Sequence, residues 1–162
     1  MKVAREGVEV RARNGFFITR TTVDPTLSRQ TDIFVALQSP LDYTALPVHV
    51  RWLENKGKPG KKRKILFEIV LPANTATVSG SDNHMSLDFA ASALTTEGKS
   101  AREYSKTIDQ RLTPEGLAQI RENGITYGDA IEVGPGDYTV RFVVRDNLTG
   151  RMGSVSAPLK VM

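Results

Sequence analysis

From Pro47 onward, apolar and polar residues alternate in one short run after another, which is the pattern of strands that bury one face. The clearest runs cover residues 48–52, 65–71, 85–93 and 138–144. Gly, Pro, Asn and Asp separate the runs, and these residue types favour turns. About seven strands at roughly even spacing predict a mainly β fold, an antiparallel immunoglobulin-like β-sandwich.

Within these runs, the phase of the alternation predicts which side chains face the core. Trp52 shares its phase with Val48 and Val50, so we expect it between the sheets, whereas His49 has the opposite phase. Tyr138 follows a Pro-Gly corner, where a sandwich tyrosine often bonds to the backbone across a loop.

The run at 65–71 is apolar on both faces. One face carries Ile65, Phe67, Ile69 and Leu71. Leu66 and Val70 lie on the other face. This pattern predicts a central strand that is covered on both sides.

A short amphipathic helix is predicted at 25–38, because Asp24 is a favourable N-cap and Pro25 a favourable first residue. Its expected apolar stripe consists of Leu27, Phe34, Leu37 and Leu41. The apolar residues 33–37 are equally compatible with a strand, so that alternative stays open.

A second helix is predicted near 114–123, where Thr113-Pro114 forms the start and Asn123-Gly124 the stop. Leu117 and Ile120 would form its buried stripe.

The first 20 residues read as a hairpin, with Val8, Val10 and Ala12 alternating before the turn Asn14-Gly15. We therefore divide the chain into a hairpin and helical connecting arm at 1–45 and a sandwich domain at 46–162. An isolated hairpin is marginally stable, so we expect it to pack on the sandwich as a rigid strut.

The net charge of +4 comes from one segment of the chain. That segment carries Lys56, Lys58, Lys61, Lys62, Arg63 and Lys64. Because these six residues contribute +6, the remainder of the chain has a net charge of −2. Surfaces that follow a phosphate backbone usually spread their charge and interleave aromatic residues. We therefore interpret residues 56–64 as a solvated loop and expect no specific nucleic-acid partner.

Candidate chemistry is sparse. The sequence has no cysteine, and its two histidines, His49 and His84, lack clustered carboxylates, so no zinc site is expected. The segment 79–84, with Asp88, comes nearest to a calcium loop but lacks the ligand spacing, and a polar turn is favoured. We predict no catalytic, cofactor-binding or metal-ligating residue, no cofactor and no enzymatic activity. Tyr43, Tyr104 and Tyr127 would form a sugar-binding platform if they were exposed together.

Both ends of the chain resemble one protein family. The segment GVEVRARNGFF at 7–17 is similar to the stretch that follows the von Willebrand factor A module in bacterial proteins abundant in acidobacteria. The segment PGDYTVR at 135–141, with RD at 145–146 and TGRMGS at 149–154, resembles the C-terminal motif of the same family. SPL at 39–41 and LPV at 46–48 fall where that family has the same motifs, so the likeness covers essentially the whole chain.

This resemblance implies the C-terminal region of a larger exported protein, with an extracytoplasmic location and the A module outside this chain. The Asp-x-Ser-x-Ser metal loop of that module does not occur in the sequence, so its metal site is not carried over. The first 15 residues lack the apolar stretch of a secretory signal, and no run approaches the roughly 18 apolar residues of a membrane span. We expect no membrane insertion.

The function expected on these grounds is a non-catalytic accessory or protein-interaction module. Its partner would be a protein, including the A module of its own parent protein. The alternative is a carbohydrate- or cell-surface-binding module with a glycan as its partner.

Overall fold

The computed structural model describes residues 24–53 and 60–162. Along these residues the elements are α1 (Pro25–Gln38), β1 (His49–Trp52), β2 (Arg63–Leu71), β3 (His84–Thr95), β4 (Ser100–Arg111), α2 (Pro114–Asn123), β5 (Ile125–Val133), β6 (Gly136–Asp146) and β7 (Met152–Val161). The predicted N-terminal hairpin, its proposed packing and residues 54–59 lie outside the described residues. Arg63 and Lys64 belong to strand β2, so the loop predicted at 56–64 is wrong at these two residues. The division at residue 45 stays a prediction.

The strands form two antiparallel sheets, one with the order β1-β2-β5 and the other with the order β4-β3-β6-β7. The chain changes sheet three times, between β2 and β3, between β4 and β5, and between β5 and β6. Such crossings place strands that are distant in sequence side by side, as in immunoglobulin-like sandwiches. The predicted fold class is confirmed.

The core fills the space between the two sheets, as the alternation predicted. Phe67 and Phe142 are fully buried, with ring centroids 5.1 Å apart. Trp52 is half-buried at the margin of the core, where its ring centroid lies 5.5 Å from that of Phe142. Its indole N–H donates to the Pro158 carbonyl at 3.0 Å, so the polar edge of the ring is also satisfied. The predicted position of Trp52 between the sheets is confirmed.

The prediction that β2 is covered on both faces is wrong. Its outer residue Leu66 is 45% exposed, because no element among the described residues lies over the three-stranded sheet. The doubly buried strand is β3, in which Ser86, Asp88, Ala90 and Ser92 are buried as completely as the inner row.

Both helices begin as predicted. The amide of Thr26 donates to the Asp24 carboxylate at 2.8 Å, and the amide of Gly116 donates to the Thr113 hydroxyl at 3.1 Å. Helix α2 stops at Gly124, which has a φ of 76° and leaves no room for a Cβ, since one would lie 2.2 Å from the Leu71 carbonyl oxygen.

The predicted stripe of α2 is only partly buried, whereas the predicted Tyr138 hydrogen bond is present. Leu117 and Ile120 of α2 are only half-buried, so the expected stripe is shallower than a core face. The Tyr138 hydroxyl donates to the Gly134 carbonyl at 3.2 Å, which confirms the predicted bond across the Pro-Gly corner.

Candidate interaction surface

Helix α1 forms a third layer, packed on the outer face of the four-stranded sheet. Its buried residues Ala36 and Leu37 contact Ala90 of β3 and Val143 of β6, each of which is 1% exposed. The small side chains of Ala36 and Ala90 allow the helix to approach the sheet closely. This contact explains why β3 is buried on both faces.

Two ion pairs fix the orientation of α1. Arg29 Nε lies 2.8 Å from Oδ2 of the buried Asp88, and Arg145 Nη2 lies 2.9 Å from Oδ2 of Asp32. The other oxygen of Asp88 accepts a hydrogen bond from Thr107 Oγ1 at 2.6 Å. Asp88 Oδ2 has no aligned hydrogen bond, so its contact with Arg29 is one of charge proximity. A buried carboxylate is costly unless it is paired, and α1 supplies the paired cation.

Arg141 holds the C-terminal end of α1. This side chain is almost fully buried, and its Nε donates to the Ala36 carbonyl at 2.8 Å. Its Nη atoms donate to the hydroxyls of Ser154 and Ser156 and to the carboxylate of Asp42. One side chain therefore joins α1, the following turn and strand β7. In the sequence Arg141 occupies an ordinary polar position of an alternating strand, so no local signal singled it out.

The opposite side of α1 exposes apolar side chains, which we call the α1 apolar face. Leu27, Phe34 and Val35 are 58%, 59% and 51% exposed. A helix that packs on a sheet normally turns such residues toward it. This exposure cannot be explained by packing among the described residues.

The apolar stripe predicted for α1 is therefore wrong at three of its four positions. Leu37 is buried, but Leu27, Phe34 and Leu41 are exposed. Spacing and side-chain size predict that stripe, whereas the helix rests on the small residue Ala36, and the pair Arg29–Asp88 sets its rotation.

A groove with a volume of about 320 Å³ separates α1 from the edge strand β4. One wall is apolar and is formed by Ile33, Phe34 and Leu37, while Glu103 and Ser105 contribute to a polar wall. Among the described strands β4 pairs only with β3, so its other edge is free to bond.

A second polar cluster joins the two sheets where β4 faces β5. The hydroxyls of Tyr104 and Tyr127 both donate to Asp129 Oδ2, and the Tyr127 contact measures 2.8 Å. The Tyr127 ring stacks on Phe89 with centroids 4.3 Å apart, and the Tyr104 ring meets Phe67 edge-on at 5.9 Å. We call this cluster the tyrosine clasp.

The pKa values of the clasp residues describe its charge state. Burial, followed by the hydrogen bond to Asp129, raises the pKa of Tyr104 well above its ordinary value, and burial also raises the pKa of Tyr127. Burial alone would raise the pKa of Asp129, but bonds from Tyr104, the Ala130 amide and Tyr127 outweigh it and lower that pKa. The clasp therefore holds neutral phenols around a carboxylate, which suits a structural link better than a nucleophile.

The three tyrosines considered as a sugar platform do not share one surface. Tyr104 and Tyr127 are joined in the clasp, whereas Tyr43 packs beside Ala36 and Leu37 under α1. The distinctive feature expected of a carbohydrate-binding module is thus not assembled by these residues.

The histidines lie apart from each other. His49 is exposed on β1, whereas His84 on β3 approaches Asp109 Oδ1 at 2.8 Å through its Nε2. The hydrogen bond from His84 is the main cause that lowers the pKa of Asp109.

The polar turn at 79–84 is closed by its own hydrogen bonds. Asp82 accepts from Ser79 and, at 3.1 Å, from Arg111 Nε, and the bond from Ser79 is the main cause that lowers its pKa. Asp88 lies beneath α1 and does not join this turn. Within residues 24–53 and 60–162, no group of three or more His, Asp or Glu side chains is arranged to hold a metal ion.

No protein-family model and no curated protein matches this chain. Among solved structures, it is similar to a protein from Bacteroides fragilis described as a β-galactosidase, with a TM-score of 0.45 and 18% identity. That match covers 70% of this chain and 16% of the other. It is also similar to a β-glucuronidase from Bacteroides uniformis, with a TM-score of 0.42, 12% identity and coverage of 70% and 13%. At these values the matches carry no argument about function.

Neither α1 nor α2 is long and apolar enough to cross a bilayer, and these are the helices of the described residues.

Proposed function

We propose that this chain is a non-catalytic interaction module of a larger exported bacterial protein, and that it docks a protein partner through the α1 apolar face and the adjoining groove. The observation that carries the proposal is the exposure of Leu27, Phe34 and Val35 on a helix that is otherwise tied down. Exposed apolar patches bordered by polar residues mark interaction sites.

Rigidity makes this face suitable for docking. Arg141 anchors one end of α1, and the Arg29–Asp88 and Arg145–Asp32 pairs hold the rest. The apolar side chains lie on a helix that is already fixed. Binding a partner would therefore cost little conformational entropy on this side of the interface.

The partner that we propose is the A module of the same parent protein. In the resembling family that module precedes the stretch that is similar to residues 7–17, and residue 24 leads directly into α1. A module attached there belongs to the same chain as the α1 apolar face, so docking is intramolecular and its effective concentration is raised. Weak apolar contacts would then be sufficient for docking.

Site-specific photocrosslinking tests this proposal in the longer protein that carries an A module. A photoreactive phenylalanine analogue at position 34 is expected to crosslink to the A module. The matched control carries the same analogue at Leu66, which is also exposed but lies on the outer face of the opposite sheet. Both substitutions affect exposed side chains, so neither should unfold the domain.

Crosslinks from position 34 to the A module, without equivalent crosslinks from position 66, support the proposal. It is overturned if position 34 crosslinks only to residues 1–23 of its own chain, if both positions crosslink equally, or if neither reacts.

A further inference from the structure

A cavity of about 230 Å³ lies at the end of the sandwich remote from α2, where β2 and β4 begin and β5 ends. Its walls include Lys62, Arg102, Glu132 and Tyr138. The topology brings these residues together from four separate parts of the chain. The basic segment supplies Lys62, and β4 supplies a second positive charge, Arg102.

The two cations of this cavity have no partner among the described residues. In the described part of the chain neither Lys62 nor Arg102 makes a side-chain hydrogen bond or an ion pair. By contrast, the guanidinium groups of Arg29, Arg141 and Arg145 all have acidic partners. An exposed Arg and an exposed Lys that have no counter-ion within residues 24–53 and 60–162 leave donors available to an external anion.

The charge of the cavity matches one carboxylate. Lys62 and Arg102 contribute two positive charges and Glu132 contributes one negative charge, which leaves a single positive charge. Arg binds a carboxylate through paired N–H donors, which gives direction as well as attraction. A nucleic-acid chain would need positive charge spread along a path, and Glu132 would repel its neighbouring phosphates.

The cavity wall is also preorganised. The Tyr138 hydroxyl is held by the Gly134 carbonyl, and Val133 next to it is buried in the core. Fixed walls reduce the ordering cost of binding.

We propose that this cavity binds an Asp or Glu side chain on an acidic peptide segment of a protein partner. The cavity is separate from the α1 apolar face, so this proposal can be tested independently of the proposed function.

Fluorescence polarisation with the whole chain tests the proposal. The probe is a short labelled peptide of alternating Glu and Gly, and its matched control has Gln in place of Glu. At about 0.15 M salt, the double variant Lys62→Gln/Arg102→Gln should lose at least about tenfold in affinity, as expected when charge-assisted hydrogen bonds are removed. Glu132→Gln should bind more tightly, since it removes the competing charge.

A charge-matched control separates a site from general attraction. Lys106→Gln/Arg121→Gln removes one Lys and one Arg charge from other exposed positions and should change the affinity less than about twofold. Equal losses in both double variants, undiminished binding in Lys62→Gln/Arg102→Gln, or binding of the Gln peptide would overturn the proposal. Tighter binding of an oligonucleotide or of polygalacturonate through the same two residues would likewise overturn it in favour of another anion. Unchanged melting temperatures confirm that each variant is folded.

Discussion

Strands β2 and β3 occupy central positions in opposite sheets, yet their outer faces differ. On β2 the outer residue Leu66 is 45% exposed, although it is strongly apolar. On β3 the outer residues Ser86, Asp88 and Ser92 are polar, and all are buried. The apolar or polar character of an outer face therefore does not report whether that face is covered in this protein.

The reason is that a distant helix, and not the strand itself, decides what is buried. Helix α1 lies over β3 because Ala90 lets it approach and because Asp88 pairs with Arg29. No element among the described residues performs this role for β2. The polar outer row of β3 is compatible with burial because its groups find partners on neighbouring elements.

The largest effects should come from the inner faces, where the two strands are alike. Phe67 of β2 and Phe89 of β3 are both fully buried, so replacing either by Ala should cost about 3–5 kcal/mol in the free energy of unfolding. Urea denaturation followed by circular dichroism measures this. A loss below about 1 kcal/mol for either variant would show that its strand does not face a shared core.

Substitutions on the outer faces should affect the stability of the two strands differently. Ala90→Leu should cost about 1–3 kcal/mol, because the larger side chain must push α1 from β3. Leu66→Ala should cost less, about 0.5 kcal/mol, since Leu66 is 45% exposed and no described element packs on it. Hydrogen exchange should also show faster exchange in α1 for the first variant alone. Equal stability of the two variants would refute the difference between the faces.

The tyrosine clasp links the free edge strands of the two sheets, and its stabilisation should depend on pH. The pKa of Asp129 is lowered in the folded state, so the contribution of the carboxylate is present at neutral pH and is lost as the pH falls through that lowered pKa. The pKa values of Tyr104 and Tyr127 are raised, so their contribution is complete below about pH 10 and declines above it.

Urea denaturation across the pH range measures both limbs of this dependence. Tyr104→Phe/Tyr127→Phe should flatten the alkaline decline and reduce the acid decline, with Tyr43→Phe as a control outside the clasp. An unchanged pH profile would show that the clasp does not titrate with unfolding.

The smallest effect is expected at the start of β2. Changing Lys61, Lys62 and Lys64 to Gln should shift the free energy of unfolding by no more than about 0.5 kcal/mol, because all three side chains are exposed. Differential scanning fluorimetry measures the midpoint. Oligonucleotide binding that survives about 0.15 M salt and disappears in this variant would contradict the interpretation of the segment as a solvated loop.

The sequence by itself determined the local architecture of this protein. Alternation placed Trp52 and Phe142 between the sheets, Asp24 and Thr113 marked the helix starts, and the Pro-Gly corner located the Tyr138 bond. These features depend on residues that are close in sequence or on period-two patterning, both of which can be read directly.

Only the tertiary structure decided the features on which the two proposals rest. The covered outer face of β3, the exposed α1 apolar face and the cavity between Lys62 and Arg102 each join segments far apart in the chain. Arg141 shows why they could not be read: a buried anchor and a solvated surface arginine occupy the same polar phase of a strand. What separates them is the element that packs above, and no local pattern records that.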